Sequence, residues 1–510
     1  MATPIPASRI RALNAHPTRP DGEFVLYWMT SARRTRSNFG LQRAVEIAAG
    51  LRRPLVVLEA LRCDYPWAND RIHAFILQGM AANARALARR PVLYHPYVEP
   101  AAGEGRGLVR ALGERACAIV TDWHPGFFLP RMAAAAARQV TVRLEAVDSN
   151  GVIPLADHLR PFPTARGYRA FMQRSLREHL QQFPDDDPLH AIARGPALKT
   201  LPAPILARWP AAEAAVLEGT AATLSSLPID HAVPPVVMRG GSHAAERVLR
   251  AFVERRLSAY ADDHHHPDAD GTSHLSPYLH FGHISPHEIF SAVMTRERWT
   301  TRRLAGASGV RNADRPAGSA APARGARAGW WGLDPSAEAF VDQLLVWREV
   351  AFNAAEWMPG YDTYATLPAW ARATLEHHRG DPRPHLYSLE TLDAAATGDD
   401  AWNAAQRQLK ADGWFHGYMR MLWGKKILEW SAEPSTALTH MEQLMNRYSL
   451  DGRDPISYAG YAWILGRYDR PWPERSVFGT VRCMTSASAK RKLKMKAYLQ
   501  RYGESQQQLF

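Results

Sequence analysis

The chain is poor in cysteine, and its three cysteines, Cys63, Cys117 and Cys483, lie far apart in the sequence. They show neither the pairing of a disulfide framework nor the spacing of a metal site, which indicates a reducing compartment and predicts a cytoplasmic protein. The chain also lacks any apolar run of about 18 residues or more, which excludes a membrane-spanning helix. The segment from Met1 to Pro20 is polar and interrupted by proline, without the apolar core of a secretory signal.

A further absence concerns the first predicted strand. No G-x-G-x-x-G follows residues 24–29, which excludes the dinucleotide-binding fingerprint. Buried strands and amphipathic helices nevertheless alternate through this region. We predict strands at 24–29, 54–58, 118–121 and 140–144, and helices at 41–51 and 70–88. This alternation predicts an α/β Rossmann-like amino-terminal domain with a parallel sheet that is covered on both faces.

The pattern changes along the rest of the chain. We predict a flexible amino terminus over 1–20, the α/β domain over 21–160, an interdomain linker rich in proline and alanine over 161–235, and an all-helical domain over 236–510. Within the helical domain, residues 304–329 are rich in Gly, Ala, Arg and Pro without apolar periodicity, which predicts a mobile basic loop. The lysine-rich run 490–496 predicts a basic helix, either a solvated face or a phosphate contact.

Basic residues exceed acidic ones, with 62 Lys and Arg against 50 Asp and Glu, for a formal charge of +12. An excess of this sign indicates a polyanionic partner such as nucleic acid, although a basic surface that serves solubility explains it equally well. Three adjacent histidines, His264 to His266, lie among aspartates in a polar turn. Because adjacent histidines rarely converge on one ion, we predict a surface loop there and no metal site.

Four segments carry a family resemblance. They are residues 24–29 with Arg33, Arg34 and Asn38, the LSPYLHFG segment at 275–282, the stretch 402–430 and the stretch 447–463. The last two include WNAAQ, HGYMRM, KKILEW and RYSLDGRDP, and they run almost without gaps. Over nearly its whole length, the chain resembles the class II cyclobutane pyrimidine dimer photolyases of the photolyase/cryptochrome superfamily.

This resemblance implies an α/β antenna domain joined to an all-helical domain that binds FAD. It implies that Arg420 and Asp451 pair beside the flavin ring. It also implies that Tyr260 and the loop 273–276 hold the FAD phosphates. A loop of small hydroxyl residues that leads into a helix offers N–H groups to a pyrophosphate, which agrees with such a site. The other cofactor contacts that the resemblance implies are Tyr260, Ser273, His274, Leu275, Ser276, Leu279, Gly452 and Asp454. A second chromophore of deazaflavin type in the amino-terminal domain is an open option.

Tryptophans suggest an electron path. Trp423 and Trp430 are spaced for one face of one helix, and Trp402 lies on the preceding helical segment. Three tryptophans on packed helices could simply be core residues. The resemblance favours the other interpretation, in which they relay electrons from the surface to the photoexcited flavin, with Trp423 nearest the ring. The family usually has a tyrosine before this tryptophan, and here the residue is Leu422.

A substrate pocket is also implied by the resemblance. Trp347 and Trp463 match residues that sandwich the dimer, as flat aromatic faces can do with stacked bases. The other matching residues are Met421 in the pocket and Arg470 and Arg482 on the DNA side. Two central positions differ: Gln343 replaces the substrate-binding glutamate, and Met445 replaces the asparagine that faces flavin N5. A glutamine keeps hydrogen bonds but carries no charge, and a methionine cannot replace an amide.

Three functions remain open at this point. The first is a light-driven, FAD-dependent class II DNA photolyase, an enzyme that splits cyclobutane pyrimidine dimers in UV-damaged DNA. The second is a cryptochrome-like photoreceptor that has lost repair, and the third is a flavin photoenzyme with another substrate. The absence of a signalling tail favours the first over the second. We expect a monomer without an obligate protein partner.

Overall fold

A six-stranded sheet forms the first part of the chain in this computed structural model, which describes residues 4–305 and 323–503. The strands are β1 (Ile10–Ala12), β2 (Phe24–Met29), β3 (Leu55–Leu61), β4 (Val92–Val98), β5 (Ala116–Asp122) and β6 (Leu144–Val147). They lie in the order β1-β6-β5-β2-β3-β4, with β1 antiparallel to β6 and the other pairs parallel. This order, with β2 at the centre and the chain winding outward to both sides, is that of a doubly wound α/β sheet.

Side chains of the central strand alternate between two apolar layers. Val25, Tyr27 and Met29 pack into one layer, and Phe24, Leu26 and Trp28 pack into the other. Every residue of β2 is therefore buried, which explains why its sequence is a continuous apolar run and not an alternating one.

Helices cover the sheet and form the rest of the chain. In chain order they are α1 (Phe39–Leu51), α2 (Asp70–Leu87), α3 (Leu108–Gly113), α4 (Leu129–Ala137), α5 (Ala165–His179), α6 (Ala203–Arg208), α7 (Ala214–Leu217), α8 (Ala221–Ser225), α9 (Ser242–Arg255), α10 (Tyr260–Asp263), α11 (Ser276–His280), α12 (Pro286–Arg296), α13 (Pro335–Asp342), α14 (Arg348–Trp357), α15 (Ala369–His377), α16 (Leu389–Asp393), α17 (Asp400–Asp412), α18 (Gly417–Trp430), α19 (Pro434–Tyr448), α20 (Pro455–Ile464), α21 (Ser486–Lys492) and α22 (Lys496–Tyr502). No helix of the described ranges is both long and apolar enough to cross a bilayer.

The chain divides into two compact units. The α/β unit comprises the described residues of 1–159, 175–249 and 275–292, and the helical unit comprises those of 160–174, 250–274 and 293–510. The fold class predicted from the sequence, an α/β domain plus an all-helical domain, is confirmed. The boundaries differ from the predicted ones, because residues 175–249 cluster with the α/β unit and the segment 275–292 does so as well.

The amino terminus differs from the flexible segment predicted over 1–20. Residues 10–12 form the edge strand β1, and the guanidinium of Arg9 is buried and donates to the carbonyls of Asp148, Gly151 and Val152. A buried guanidinium with three carbonyl acceptors fixes this segment to the sheet. Three residues of strand were too short a pattern to recognise in the sequence.

Two other predictions of elements were wrong in detail. The last strand begins at Leu144 and not at Val140. Val140 and Val142 are buried, but they lie in the connection before the strand and are not paired with another strand of the sheet. The predicted basic helix at 490–496 is broken at Leu493, where α21 has ended and α22 has not begun. Strand β4 was missed because Pro96 interrupts its pattern, which an edge strand tolerates. Most of the predicted basic loop, residues 306–322, lies outside the described residues.

Candidate functional site

Three buried tryptophans of the helical unit form a contact chain. Trp402 on α17 lies parallel to Trp423 on α18, with ring centroids 6.2 Å apart and planes within 4°. It also meets Trp430 edge to face at 5.5 Å. The indole N–H of Trp402 donates to the carbonyl of Trp423 at 3.0 Å, which ties the two helices together. The structure therefore brings the three predicted relay residues together, with Trp402 in the middle.

The outer end of this chain is not Trp430 itself, because Trp430 is only 3% exposed. The half-buried Tyr387 packs against it edge to face at 5.1 Å, and His385 stacks on Tyr387. The Tyr387 hydroxyl accepts a hydrogen bond from the backbone N–H of Gly398 at 2.9 Å. A phenol in this position extends the aromatic contacts from the buried tryptophans towards solvent.

The predicted ion pair between Arg420 and Asp451 is present. Nη2 of Arg420 lies 3.1 and 3.3 Å from the two carboxylate oxygens of Asp451. The hydroxyl of Ser449 also donates to this carboxylate, at 2.6 Å. The carboxylate is almost fully buried, so the charged hydrogen bonds that hold it are strong ones.

Three side chains at α17 and α18 have buried nitrogens without a hydrogen-bond partner among residues 4–305 and 323–503. His416, the residue before the helix, has no hydrogen bond at either ring nitrogen, and Arg420 one turn later has none at Nε. Gln406 on α17 keeps a free amide N–H, although its carbonyl accepts from the Trp423 indole at 2.9 Å. Burial lowers the pKa of His416 to about 4, so the ring is neutral at neutral pH.

Each unpaired buried donor costs about 1–3 kcal/mol, a cost that a bound group with acceptors would offset. The carbonyls, ring nitrogens and phosphates of FAD are acceptors of this kind. The residues of the helical unit therefore fit the cofactor that the resemblance implies.

Met445 and Gly452 lie where the turn after α19 folds back on that helix. Met445 is fully buried, and a Cβ on Gly452 would approach its carbonyl oxygen to 2.3 Å. Only glycine fits this close backbone approach. Asp454 accepts from the backbone N–H of Ile456 at 2.9 Å and caps α20. Its predicted contact with the cofactor stays a prediction beside this observed capping role.

The remaining predicted cofactor residues fall in both units. Tyr260, Ser273 and His274 belong to the helical unit, where His274 is held by Asp270 at 2.6 Å and contacts Trp414. Leu275, Ser276 and Leu279 belong to the α/β unit. Leu275 directly precedes α11, and Ser276 and Leu279 lie within it. Tyr260 stacks on His264 with centroids 4.6 Å apart. The boundary between the two units along the chain falls at Leu275, within the segment 273–276.

The predicted substrate residues Gln343 and Trp347 are the first and last residues of a π-helical turn between α13 and α14. Such turns are rare overall, but those that occur are often found at functional sites. The one extra residue shifts the side chains that follow around the helix. Both residues are half-buried. The side-chain amide of Gln343 makes no hydrogen bond within the described ranges, which leaves it available to a ligand. Trp347 meets Tyr468 edge to face at 6.5 Å.

A second aromatic surface surrounds Trp463 on α20. The guanidinium of Arg482 lies 5.4 Å from the Trp463 ring and 4.2 Å from the Trp472 ring, and it pairs with Asp469 at 2.8 Å. Arg470 is exposed and lies 5.4 Å from the Trp472 ring. Flat rings edged by guanidinium groups suit stacked bases and phosphates. Met421 of α18 is half-buried and lies beside α20, close to Gly460.

The histidine triplet is held by other residues of the helical unit. His266 accepts from the backbone N–H of Lys494 at 3.1 Å, and His264 stacks on Tyr260. No group of histidine, cysteine, aspartate or glutamate side chains among residues 4–305 and 323–503 could hold a metal ion.

Comparison with known proteins decides the family. The chain is 32% identical over 497 residues to the deoxyribodipyrimidine photo-lyase of Methanothermobacter thermautotrophicus, and the match covers 98% of each chain. The chain belongs to the photolyase family. It is also 34% identical over 508 residues to the protein of the same name from Oryza sativa subsp. japonica, with 96% of this chain and 90% of the relative covered. No family model matches the sequence.

The fold of this photolyase agrees with a solved structure. The crystal structure of a class III photolyase from Agrobacterium tumefaciens matches it with a TM-score of 0.65 at 16% identity, over 94% of this chain and 86% of that chain. This likeness supports the fold alone. The resemblance stated from the sequence is confirmed at the level of the photolyase/cryptochrome superfamily.

Two residues in contact with the predicted site residues were missed in the sequence. Trp472 lies two positions after Arg470, and the shared arginine contacts reveal its place. Tyr387 lies outside every recognised segment, so only its contact with Trp430 identifies it. For Trp472, a signal existed, namely an aromatic residue interleaved with arginines.

Proposed function

We propose that this protein is a class II DNA photolyase that uses light and FAD to split cyclobutane pyrimidine dimers in UV-damaged DNA. Arg420, Asp451 and the residues around His416 would hold FAD, which in its reduced form would supply the light-excited electron for ring opening and would take that electron back, with no net redox change. The protein holds the cofactor, presents the lesion and conducts electrons inward.

The observation that carries this proposal is the similarity over nearly the full chain to proteins named deoxyribodipyrimidine photo-lyase. The geometry supports it. The stacked tryptophans Trp402 and Trp423 give electrons a continuous aromatic path. The aromatic surface at Trp463 and the formal charge of +12 suit a flipped lesion on a phosphate backbone.

Dimer repair in the light is the experiment that tests this function. The purified protein, reduced beforehand, is given matched oligonucleotides with a cyclobutane thymine dimer or a (6-4) photoproduct, in light and in darkness. We expect loss of the cyclobutane dimer alone, and only in light. Reversal of the (6-4) lesion instead would contradict the proposed substrate class.

FAD is proposed to bind at Arg420, Asp451 and the unpaired donors around His416. We expect Asp451→Asn to weaken FAD binding by about 10- to 100-fold, because charged hydrogen bonds contribute about 1.5–3 kcal/mol each. The free flavin released on dialysis, read by its fluorescence, measures this effect. The matched control is Asp393→Asn, since Asp393 also pairs with basic side chains, Lys410 and Arg447. Equal retention of FAD by both variants would exclude Asp451 as a cofactor residue.

A second chromophore is proposed for the α/β unit. Aromatic side chains follow the carboxyl ends of β3 and β5, where doubly wound sheets bind ligands. Trp67 stacks on Phe127 at 6.1 Å, and Tyr65 stacks on Phe128 at 5.8 Å. Trp67 and Phe127 both have positive φ angles, of 62° and 59°. Strained backbone of this kind clusters at ligand sites, and flat aromatic rings there suit a planar chromophore of deazaflavin type.

A photoreceptor without repair activity is the second candidate. The observation that favours it is the pair of substitutions at the implied reacting centre, Gln343 and Met445. A photoreceptor would bind FAD and reduce it in light but leave the dimer intact, which the same repair experiment detects. The monomeric state, the absence of an obligate partner and the cytoplasmic location stay predictions from the sequence.

A further inference from the structure

Lys425 of α18 is a fully buried lysine. Its ammonium donates to the carbonyl of Ile464, the last residue of α20, at 2.5 Å. No carboxylate lies within ion-pair distance of it in the described part of the chain. The neighbouring Lys426 differs, because it pairs with Glu429 and with Asp399. Burying a lysine without a carboxylate partner is costly, so its presence at this position points to a role.

The ammonium of Lys425 lies 5.2 Å from the ring centroid of Trp463. The guanidinium of Arg482 lies at 5.4 Å from the same ring, but Asp469 pairs with it and offsets its charge. Of the two cations at this ring, Lys425 is therefore the one without a carboxylate partner in the described ranges. A cation against an indole is attracted by the ring and restrains its orientation, most strongly where water is excluded.

Burial lowers the pKa of Lys425 to about 7. The charged and titratable groups that act on it are Asp469, Arg482 and Cys483, all in the segment after α20. Asp469 favours the charged form and Arg482 opposes it. Burial raises the pKa of the Cys483 thiol, so that group is neutral at neutral pH. The ammonium is therefore mostly present below neutral pH and is lost as the pH rises.

We propose that Lys425 is a positioning residue for the lesion: its ammonium fixes Trp463 and the carboxyl end of α20, and so sets how well the protein distinguishes a dimer from intact DNA. This inference rests on the proposed function, since Trp463 is the proposed stacking surface. Loss of the proton removes the cation–π contact and weakens the hydrogen bond to Ile464. Discrimination should then fall as the pH rises through the titration of Lys425.

The test is binding in the dark, which requires no photochemistry. Fluorescence anisotropy gives Kd for a duplex with one thymine dimer and for the same duplex undamaged. The Kd of the undamaged duplex divided by the Kd of the dimer duplex measures how well the protein discriminates between them. In the wild type we expect this ratio to fall about fivefold between about pH 6 and about pH 9, because Lys425 loses its charge in this interval. Lys425→Met should have the low ratio at every pH.

The matched control is Lys410→Met. Lys410 also lies 5.2 Å from an aromatic ring, that of Tyr448, and its loss changes the net charge equally. Its ratio should follow the wild-type pH profile. A wild-type ratio that does not change with pH would overturn the inference even if Lys425→Met fails to fold. A protein without preference for the dimer at any pH would contradict the proposed function, and this inference with it.

Discussion

Phenylalanine in place of Trp402 should abolish most of the light-driven electron uptake by the FAD-loaded protein. Trp402 contacts both Trp423 and Trp430, at 6.2 and 5.5 Å, so its loss interrupts the aromatic path between them. Phenylalanine is much harder to oxidise than tryptophan, yet it fills most of the same buried volume. We expect the rate of photoreduction, followed by flavin absorbance under blue light, to fall by more than an order of magnitude.

The matched control for Trp402 is Trp331→Phe. Trp331 is also buried and also contacts two tryptophans, Trp330 at 4.8 Å and Trp299 at 5.9 Å. It lies outside the proposed path, so its variant should photoreduce like the wild type. If both variants slow photoreduction to the same degree, the effect is a general one on packing. If Trp402→Phe photoreduces at the wild-type rate, the path does not pass through Trp402.

A glutamate at position 343 should increase repair. Gln343 begins the π-helical turn, is half-buried and has a side-chain amide that is available to a ligand. A carboxyl group there can supply a proton or a charge to the dimer as its ring opens, which an amide cannot do. Because one preorganised polar group contributes about 10²–10³ in rate, we expect Gln343→Glu to raise the single-turnover repair rate by about 10²-fold.

The control for this prediction is Gln443→Glu. Gln443 is exposed on α19, and its variant adds the same negative charge outside the proposed pocket. It should leave the repair rate unchanged. A repair rate for Gln343→Glu at or below the wild-type value would show that this pocket is adapted to the amide. That result would contradict the expectation that Gln343 limits the reaction.

The strongly periodic elements could be predicted from the sequence. Strand β2 has the predicted bounds, and α1 and α2 differ from theirs by no more than two residues, because long apolar patterns leave few alternatives. The spacing of Trp423 and Trp430 placed them on one helix correctly. Their contact with Trp402 depended on how α17 packs on α18, and only the family resemblance suggested it before the structure did.

Other features had no readable signal. The π-helical turn at Gln343–Trp347 depends on one shifted hydrogen bond, which leaves no mark in the apolar pattern. Lys425 looks like one of two adjacent lysines in the sequence, and only burial distinguishes it from Lys426. The edge strand β1 is held by the buried side chain of Arg9, a tertiary contact that local sequence does not encode.

The most direct test of the central claim is the recovery of intact thymines from a defined dimer. The chemically reduced protein, which needs no electrons from Trp402, is mixed with a dimer oligonucleotide and divided between blue light and darkness. Chromatography then counts the restored strands. We predict restoration in the light sample alone, with more than one dimer split per protein molecule. An intact dimer after illumination of a protein that retains reduced FAD would contradict the account and favour a photoreceptor.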